Sequence, residues 1–262
     1  MNKIKIQFSH ANGFPASAYS YFFDKIKGAE IRFVDKIGHG DYQLDDDLYN
    51  LADELIADIE SNWNEPVVGI GHSVGGVLTI MAACKRPELF KQVIVFDPVI
   101  FSKKRRFVIG LFRFLGLIDY LGPIKRTLKR QRKFANSEVA KTYFESKRLF
   151  KKFHPKSLEN YIKYGLTPLK NNEVELAFSP SIEADIFRSI ISKLPKNIRK
   201  LQGVLIYADK SAIFLDSDVC WWKKSLPNFE TIEFSGEHLA PLEQPEEFAE
   251  LINSFLVKHE AS

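Results

Sequence analysis

Residues Pro66-Val67-Val68-Gly69-Ile70-Gly71-His72-Ser73-Val74-Gly75-Gly76 and the apolar run that follows, Val77-Leu78-Thr79-Ile80-Met81-Ala82-Ala83-Cys84, decide how this chain is read. Residues 66–70 predict a strand and 77–84 a helix. Ser73 sits between them, with Gly71 and Gly75 two positions away on either side and Gly76 as a third glycine. A serine at so tight a strand-to-helix turn is presented as a nucleophile. The turn strains the serine backbone and leaves its neighbours no room for side chains. It aims the hydroxyl off the sheet edge, over a helix N-terminus that favours developing negative charge.

Strands and helices alternate on both sides of this turn. Strands are predicted at 4–8, 30–34, 66–70, 92–96, 203–207 and 229–234, and helices at 16–27, 45–62, 77–84, 216–225 and 245–257. In 45–62 the residues Leu48, Leu51, Ala52, Leu55 and Ile59 keep helical spacing. Continuous Val/Ile/Leu runs suit strands buried on both faces and joined by right-handed crossovers. The expectation is an α/β fold with a mostly parallel six-stranded sheet flanked by helices. Residues 1–98 and 201–262 form its core. Residues 99–200, helical in pattern, interrupt it directly after a strand, so they are read as a cap over the C-terminal edge, where open α/β sheets bind ligands.

The 262 residues are enough for one such domain, and 45% hydrophobic with 27% charged residues is ordinary globular composition. No signal peptide and no membrane-spanning run is read in the sequence. Cys84 and Cys220 are expected to be reduced thiols in a cytoplasmic protein, and no Cys/His cluster has metal-ligand spacing, so neither metal nor cofactor is expected. The net charge of +4 hides an asymmetry. Residues 101–170 hold 19 Lys+Arg against 4 Asp+Glu, an excess of 15, and the remainder carries an acidic excess of 11. No nucleic-acid recognition motif accompanies that charge. Nothing in the pattern sets an oligomeric state.

Four motifs in order resemble the α/β-hydrolase superfamily, in its serine esterase and lipase-like branch. His10-Ala11-Asn12-Gly13-Phe14-Pro15 resembles the family's oxyanion loop, with two residues inserted between histidine and glycine. Ile37-Gly38-His39-Gly40-Asp41 resembles its next loop, and residues 71–76 its nucleophile elbow. Gly236-Glu237-His238-Leu239 before Pro245-Glu246-Glu247-Phe248 resembles its histidine loop and last helix. The chain opens at the family's third strand, which implies that the usual N-terminal hairpin is missing.

A serine hydroxyl needs a base, and histidine suits that task near neutral pH. Among His10, His39, His72, His154, His238 and His259, the resemblance selects His238. His10 and His39 shape loops, His72 packs beside the elbow, His154 lies in the cap and His259 in the tail. The base needs an acid. The family's usual position after the penultimate strand is held here by Ser211, with Asp209 two residues early. Some branches place the acid after the strand that follows the elbow helix, where Asp97 stands. Asp97 is preferred, Asp209 is its rival, and an absent acid stays open. Asp216 and Asp218 read as helix-start residues. The oxyanion donors implied are the amide of Val74 and one from the loop, with Asn12 and Phe14 as rivals and Ala11 a third.

The interruption is rich in aromatic residues, some forming its own core and others lining an apolar pocket. The pocket positions expected are Phe14, His72, Phe101 and Phe112. Residues 108–117 are apolar on all sides, so they are buried, line the pocket or touch a membrane surface. The basic residues attract anionic substrates or lipid, or, as the preferred reading, form a solvated exterior. The expected function is a serine hydrolase acting on carboxylic esters of small to medium apolar acyl groups through an acyl-enzyme. The same triad also serves thioesterases, carbon–carbon bond hydrolases and cofactor-free haloperoxidases, and a non-catalytic ligand-binding relative would keep the pocket.

Overall fold

In the computed structural model, residues 3–260 are described, with side chains through residue 257; the side chain of His259 lies outside them. Nine strands form: β1 Ile4–Ser9, β2 Ala29–Phe33, β3 Val67–His72, β4 Phe90–Phe96, β5 Lys133–Phe134, β6 Leu166–Pro168, β7 Val174–Leu176, β8 Gly203–Ala208 and β9 Phe229–Phe234. Six of them make one sheet in the order β2-β1-β3-β4-β8-β9. All five pairings are parallel.

Side-chain alternation explains why the sheet is buried on both sides. Val68, Ile70, Ile94, Phe96, Val204 and Ile206 enter one apolar cluster, with Phe22, Phe248 and Ile252. Val67, Val93, Val95 and Leu205 enter the other, with Leu55, Leu78 and Trp222. Each strand residue changes face at every step, so uninterrupted apolar runs supply both layers. The predicted strands and the helices Asp216–Ser225 and Pro245–Glu260 are found within a few residues of their expected limits.

Two elements differ from expectation. The helix predicted from residue 45 is found at Tyr49–Asn62, because Leu48 adopts a left-handed φ of 64°. The helix predicted over 16–27 is a 3-10 turn at Ala16–Tyr19 followed by one α-turn at Ser20–Phe23.

Between β4 and β8 the chain forms helices at Lys103–Phe114, Ile124–Leu128, Ser137–Glu145, Pro155–Tyr164 and Pro180–Arg188. It also forms a three-stranded antiparallel sheet in the order β5-β7-β6, which the helical reading of this segment missed. Strands of two or three residues are too short to show a period. Phe134, Phe144, Phe150, Phe153 and Tyr161 form the inner aromatic core of the segment. That core meets the loop after β1, where the Phe14 ring lies 6.3, 5.9 and 5.6 Å from those of Phe150, Phe153 and Tyr161.

Candidate active site

Ser73 lies between β3 and the helix Val74–Lys85 with φ 57° and ψ −119°, outside the regions open to an unconstrained residue with a Cβ. The turn is held because the Ser73 amide donates to Phe96 O at 2.9 Å, while its carbonyl accepts from Gly76 at 3.1 Å and Val77 at 3.3 Å. The glycines are required by space. A Cβ at Gly71 would lie 2.6 Å from the Gly75 carbonyl oxygen, and one at Gly75 would lie 2.1 Å from the Ser9 carbonyl oxygen.

Asp97 follows β4 directly and also has a positive φ, 43°. It is fully buried. Its amide donates to Ile206 O at 3.0 Å, and its Oδ1 accepts from the Ala208 amide at 3.0 Å. These two bonds carry the β4–β8 pairing past the end of the strand and turn the other carboxylate oxygen toward the loop after β9. There, His238 Nδ1 lies 3.0 Å from Asp97 Oδ2, and His238 Nε2 lies 3.0 Å from Ser73 Oγ. A carboxylate only accepts, so Nδ1 carries the proton and the Nε2 lone pair faces the hydroxyl.

Asp209 stands apart from this line. Its Oδ1 accepts from the Gly236 amide at 2.8 Å, and Lys210 donates to Gly236 O at 3.0 Å. It therefore braces the turn that carries His238. Ser211 Oγ accepts from the Phe214 amide at 3.0 Å and closes its own turn. Asp218, buried, accepts from the Ser102 amide at 2.7 Å, and Asp216 is exposed.

Among the described residues the remaining histidines have structural contacts. His72 is buried between Tyr19 OH, 2.9 Å from Nδ1, and the His238 carbonyl, which accepts from Nε2 at 2.7 Å. Both ring nitrogens are used, and burial holds its pKa well below the usual histidine value. His10 accepts from the Ile37 amide at Nε2 and donates from Nδ1 to Ala11 O, and burial lowers its pKa to about 4. His39 Nε2 accepts from the Ser179 amide at 3.0 Å, joining the loop after β2 to the inserted segment. His154 stacks on Tyr21 with ring centroids 4.6 Å apart.

Of the loop amides weighed as oxyanion donors, Ala11 donates to Tyr19 OH at 3.4 Å and Phe14 donates back to Ala11 O at 3.2 Å. Among the described residues the amides of Asn12 and Val74 have no acceptor. The four expected pocket positions do not form one wall. Phe14 belongs to one apolar cluster and Phe101 to the other. Phe112 is half-buried on the helix Lys103–Phe114, and His72 lies beneath the surface.

Two bracing residues carried no motif. Tyr19, in the stretch read only as a helix, links Ala11 to His72 and through it to the His238 backbone. Glu183, distant in sequence, accepts at its carbonyl from Asn12 Nδ2 at 2.9 Å and pairs its carboxylate with Arg130. Its Oε1 would lie 2.8 Å from a Cβ at Gly13, where φ is 83°. Among the described residues no group of three or more His, Cys, Asp or Glu side chains is placed to hold a metal ion. Nor is any helix long and apolar enough to cross a membrane.

The sequence pattern of the alpha/beta hydrolase family matches residues 8–251. The chain belongs to that family. A curated relative, a probable alcohol acetyltransferase of Saccharomyces cerevisiae, is 24% identical over 213 residues, 77% of this chain and 59% of the relative. The chain thus matches less than two thirds of that relative's length. Among solved structures, E-2-(acetamidomethylene)succinate hydrolase superposes with a TM-score of 0.77 at 15% identity, covering 97% of this α/β-hydrolase and 91% of that chain. An esterase from a marine microorganism gives 0.69 at 17% identity, covering 97% and 96%. At such identities the likeness is one of fold.

Proposed function

We propose that this α/β-hydrolase cleaves carboxylic esters of small to medium apolar acyl groups through an acyl-enzyme. The observation that carries the reading is the hydrogen-bonded line from Ser73 through His238 to Asp97. In this mechanism Ser73 Oγ attacks the ester carbonyl carbon as its proton passes to His238 Nε2. Asp97 keeps the imidazole in the required tautomer and stabilises its cation. The amides of Val74 and Asn12 hold the oxyanion. Collapse breaks the bond to the alcohol oxygen, which leaves with the proton from Nε2. Water then loses a proton to Nε2 and adds to the acyl carbon, and the acid departs as Ser73 regains its proton. Residues 99–200 act as the cap, and Phe14 supplies apolar wall.

Labelling with a fluorophosphonate and a panel of esters graded by acyl length test this reading. Ser73→Ala should abolish labelling and lower kcat on the order of a million-fold with folding intact. Saturable ester binding without turnover would instead make the chain a binding protein. A second reading, transfer of the acyl group to an alcohol in place of water, is favoured by the name of the yeast relative. Adding ethanol to the assay separates the two, because a transferase diverts the acyl group to ethyl ester in preference to free acid.

A further inference from the structure

The helix Lys103–Phe114 is mounted inside out. At 3.6 residues per turn, Arg106, Ile109 and Arg113 share one face, while Phe107, Val108, Leu111, Phe114 and Leu115 share the opposite one. The arginines point into the protein. Arg106 donates to Phe101 O at 2.9 Å, and Arg113 donates to Arg188 O and Ile190 O, each at 2.7 Å. The apolar face points out. Phe107 is 71% exposed and Phe114 86%, and Tyr120, just beyond the helix, is 69% exposed. Burial of the arginine side is fixed by four hydrogen bonds from Arg106 and Arg113 to backbone carbonyls, the fourth from Arg106 to Ser192 O at 3.3 Å, so the helix cannot roll its phenylalanines inward without orphaning them. Contiguous exposed apolar surface of this kind marks a place of interaction.

The charge around it identifies the occupant. Lys103 and Lys104 lie on the outward side at the start of the helix, and Lys125, Arg126 and Lys129 are exposed just beyond its end. Among the described residues none of the five pairs with a carboxylate. They belong to the stretch whose basic excess is 15. Large apolar side chains framed by cations without a carboxylate partner fit a surface that is apolar below and anionic above. We propose that residues 103–129 dock this protein onto an anionic phospholipid surface, with Phe107, Leu111, Phe114 and Leu115 entering the acyl boundary and the lysines meeting the head groups. The docking is independent of which ester the site cleaves.

Flotation of the full chain with vesicles tests this, comparing phosphatidylcholine alone with phosphatidylcholine and phosphatidylglycerol in equal parts. The protein should float with the mixed vesicles, not with phosphatidylcholine alone, and raised salt should release it. Lys103→Gln with Lys104→Gln should weaken partition about 25-fold, at about fivefold for each lysine. Phe107→Ser with Phe114→Ser should weaken it at least as much. All four positions are exposed, and unchanged melting temperatures verify folding. Failure to float with either vesicle, or flotation that neither pair of substitutions reduces, overturns the proposal. So does a dimer in sedimentation velocity that the phenylalanine pair dissolves, which assigns the face to a second copy of the chain.

Discussion

At the C-terminal edge of the main sheet His10, His72, Ser73 and Asp97 are all buried, while on the helix Lys103–Phe114 the phenylalanines Phe107 and Phe114 stand in solvent. The two regions depart from ordinary burial in opposite directions. These four polar residues of the sheet edge are each retained by a partner. Asp97 holds Ala208 and His238, His72 holds Tyr19 and the His238 carbonyl, and His10 holds Ile37. On the outer helix the apolar groups are kept out because the arginines behind them are held in. Sequences violate local rules where function requires it, and the manner of the violation separates a site of chemistry from a site of contact.

The largest test of the buried region exchanges its two aspartates. Asp97→Asn removes the acceptor that selects the His238 tautomer and should lower kcat on the order of ten-thousand-fold. Asp209→Asn, which weakens the brace on Ser235 and Gly236, should change kcat less than tenfold. Esterase kinetics on both variants decide it, and a larger loss in Asp209→Asn would reverse the roles assigned to the two loops.

The place of Asp97 was legible because it ends a strand whose neighbours were predictable, while its preference as the acid rests on the family resemblance. Val93 to Phe96 alternate between two cores, so the end of β4 and the residue after it could be placed from apolar runs alone. Ser73 could be placed from its glycines between a predicted strand and helix, whereas His238 was picked out by the resemblance of residues 236–248 to a family motif. Tyr19 and Glu183 were not. Their partners lie 53 and 171 residues away, and no local pattern encodes a contact closed only by the fold. The outward face of Lys103–Phe114 escaped for another reason. Periodicity shows that a helix has an apolar side but not which side meets the protein. The carbonyls of residues 101, 188, 190 and 192 that capture its arginines settle that question.

Acid should strain the buried region first. His10 is neutral in the fold because burial lowers its pKa to about 4, against 6.5 for the free side chain. Between those values the unfolded chain binds a proton that the native state refuses, so stability falls as pH drops through that window. The loss from His10 alone is on the order of 3 kcal/mol. His39 and His72 are shifted in the same direction by burial and add to the slope. Thermal melts from neutral pH downward should show it, and His10→Gln should flatten part of the curve. An unchanged curve would mean that His10 titrates freely.

Tyr19→Phe asks whether the buried network positions the loop that carries His238 or only fills space. The substitution keeps the ring and removes the hydroxyl that links Ala11 to His72. Stability should fall by about 2 kcal/mol, the cost of a buried acceptor left without its donor. If His72 sets the height of the His238 backbone, kcat should also drop, on the order of tenfold, with KM unchanged. A loss of stability with kcat intact would leave Tyr19 as packing.

The smallest expected effect separates the two regions most sharply. Phe144 and Phe107 are aromatic residues of the same inserted segment, the first 1% exposed inside its aromatic core and the second 71% exposed on the outer helix. Phe144→Ala empties a volume bounded by Phe134, Phe150 and Tyr161 and should cost about 3–5 kcal/mol. Phe107→Ser with Phe114→Ser removes side chains that the fold never covered, so urea unfolding should change by less than about 0.5 kcal/mol. A large loss in the double variant would mean that these phenylalanines are covered in solution by part of the chain itself. The outer helix would then obey the same rule as the core, and its outward face would need no partner.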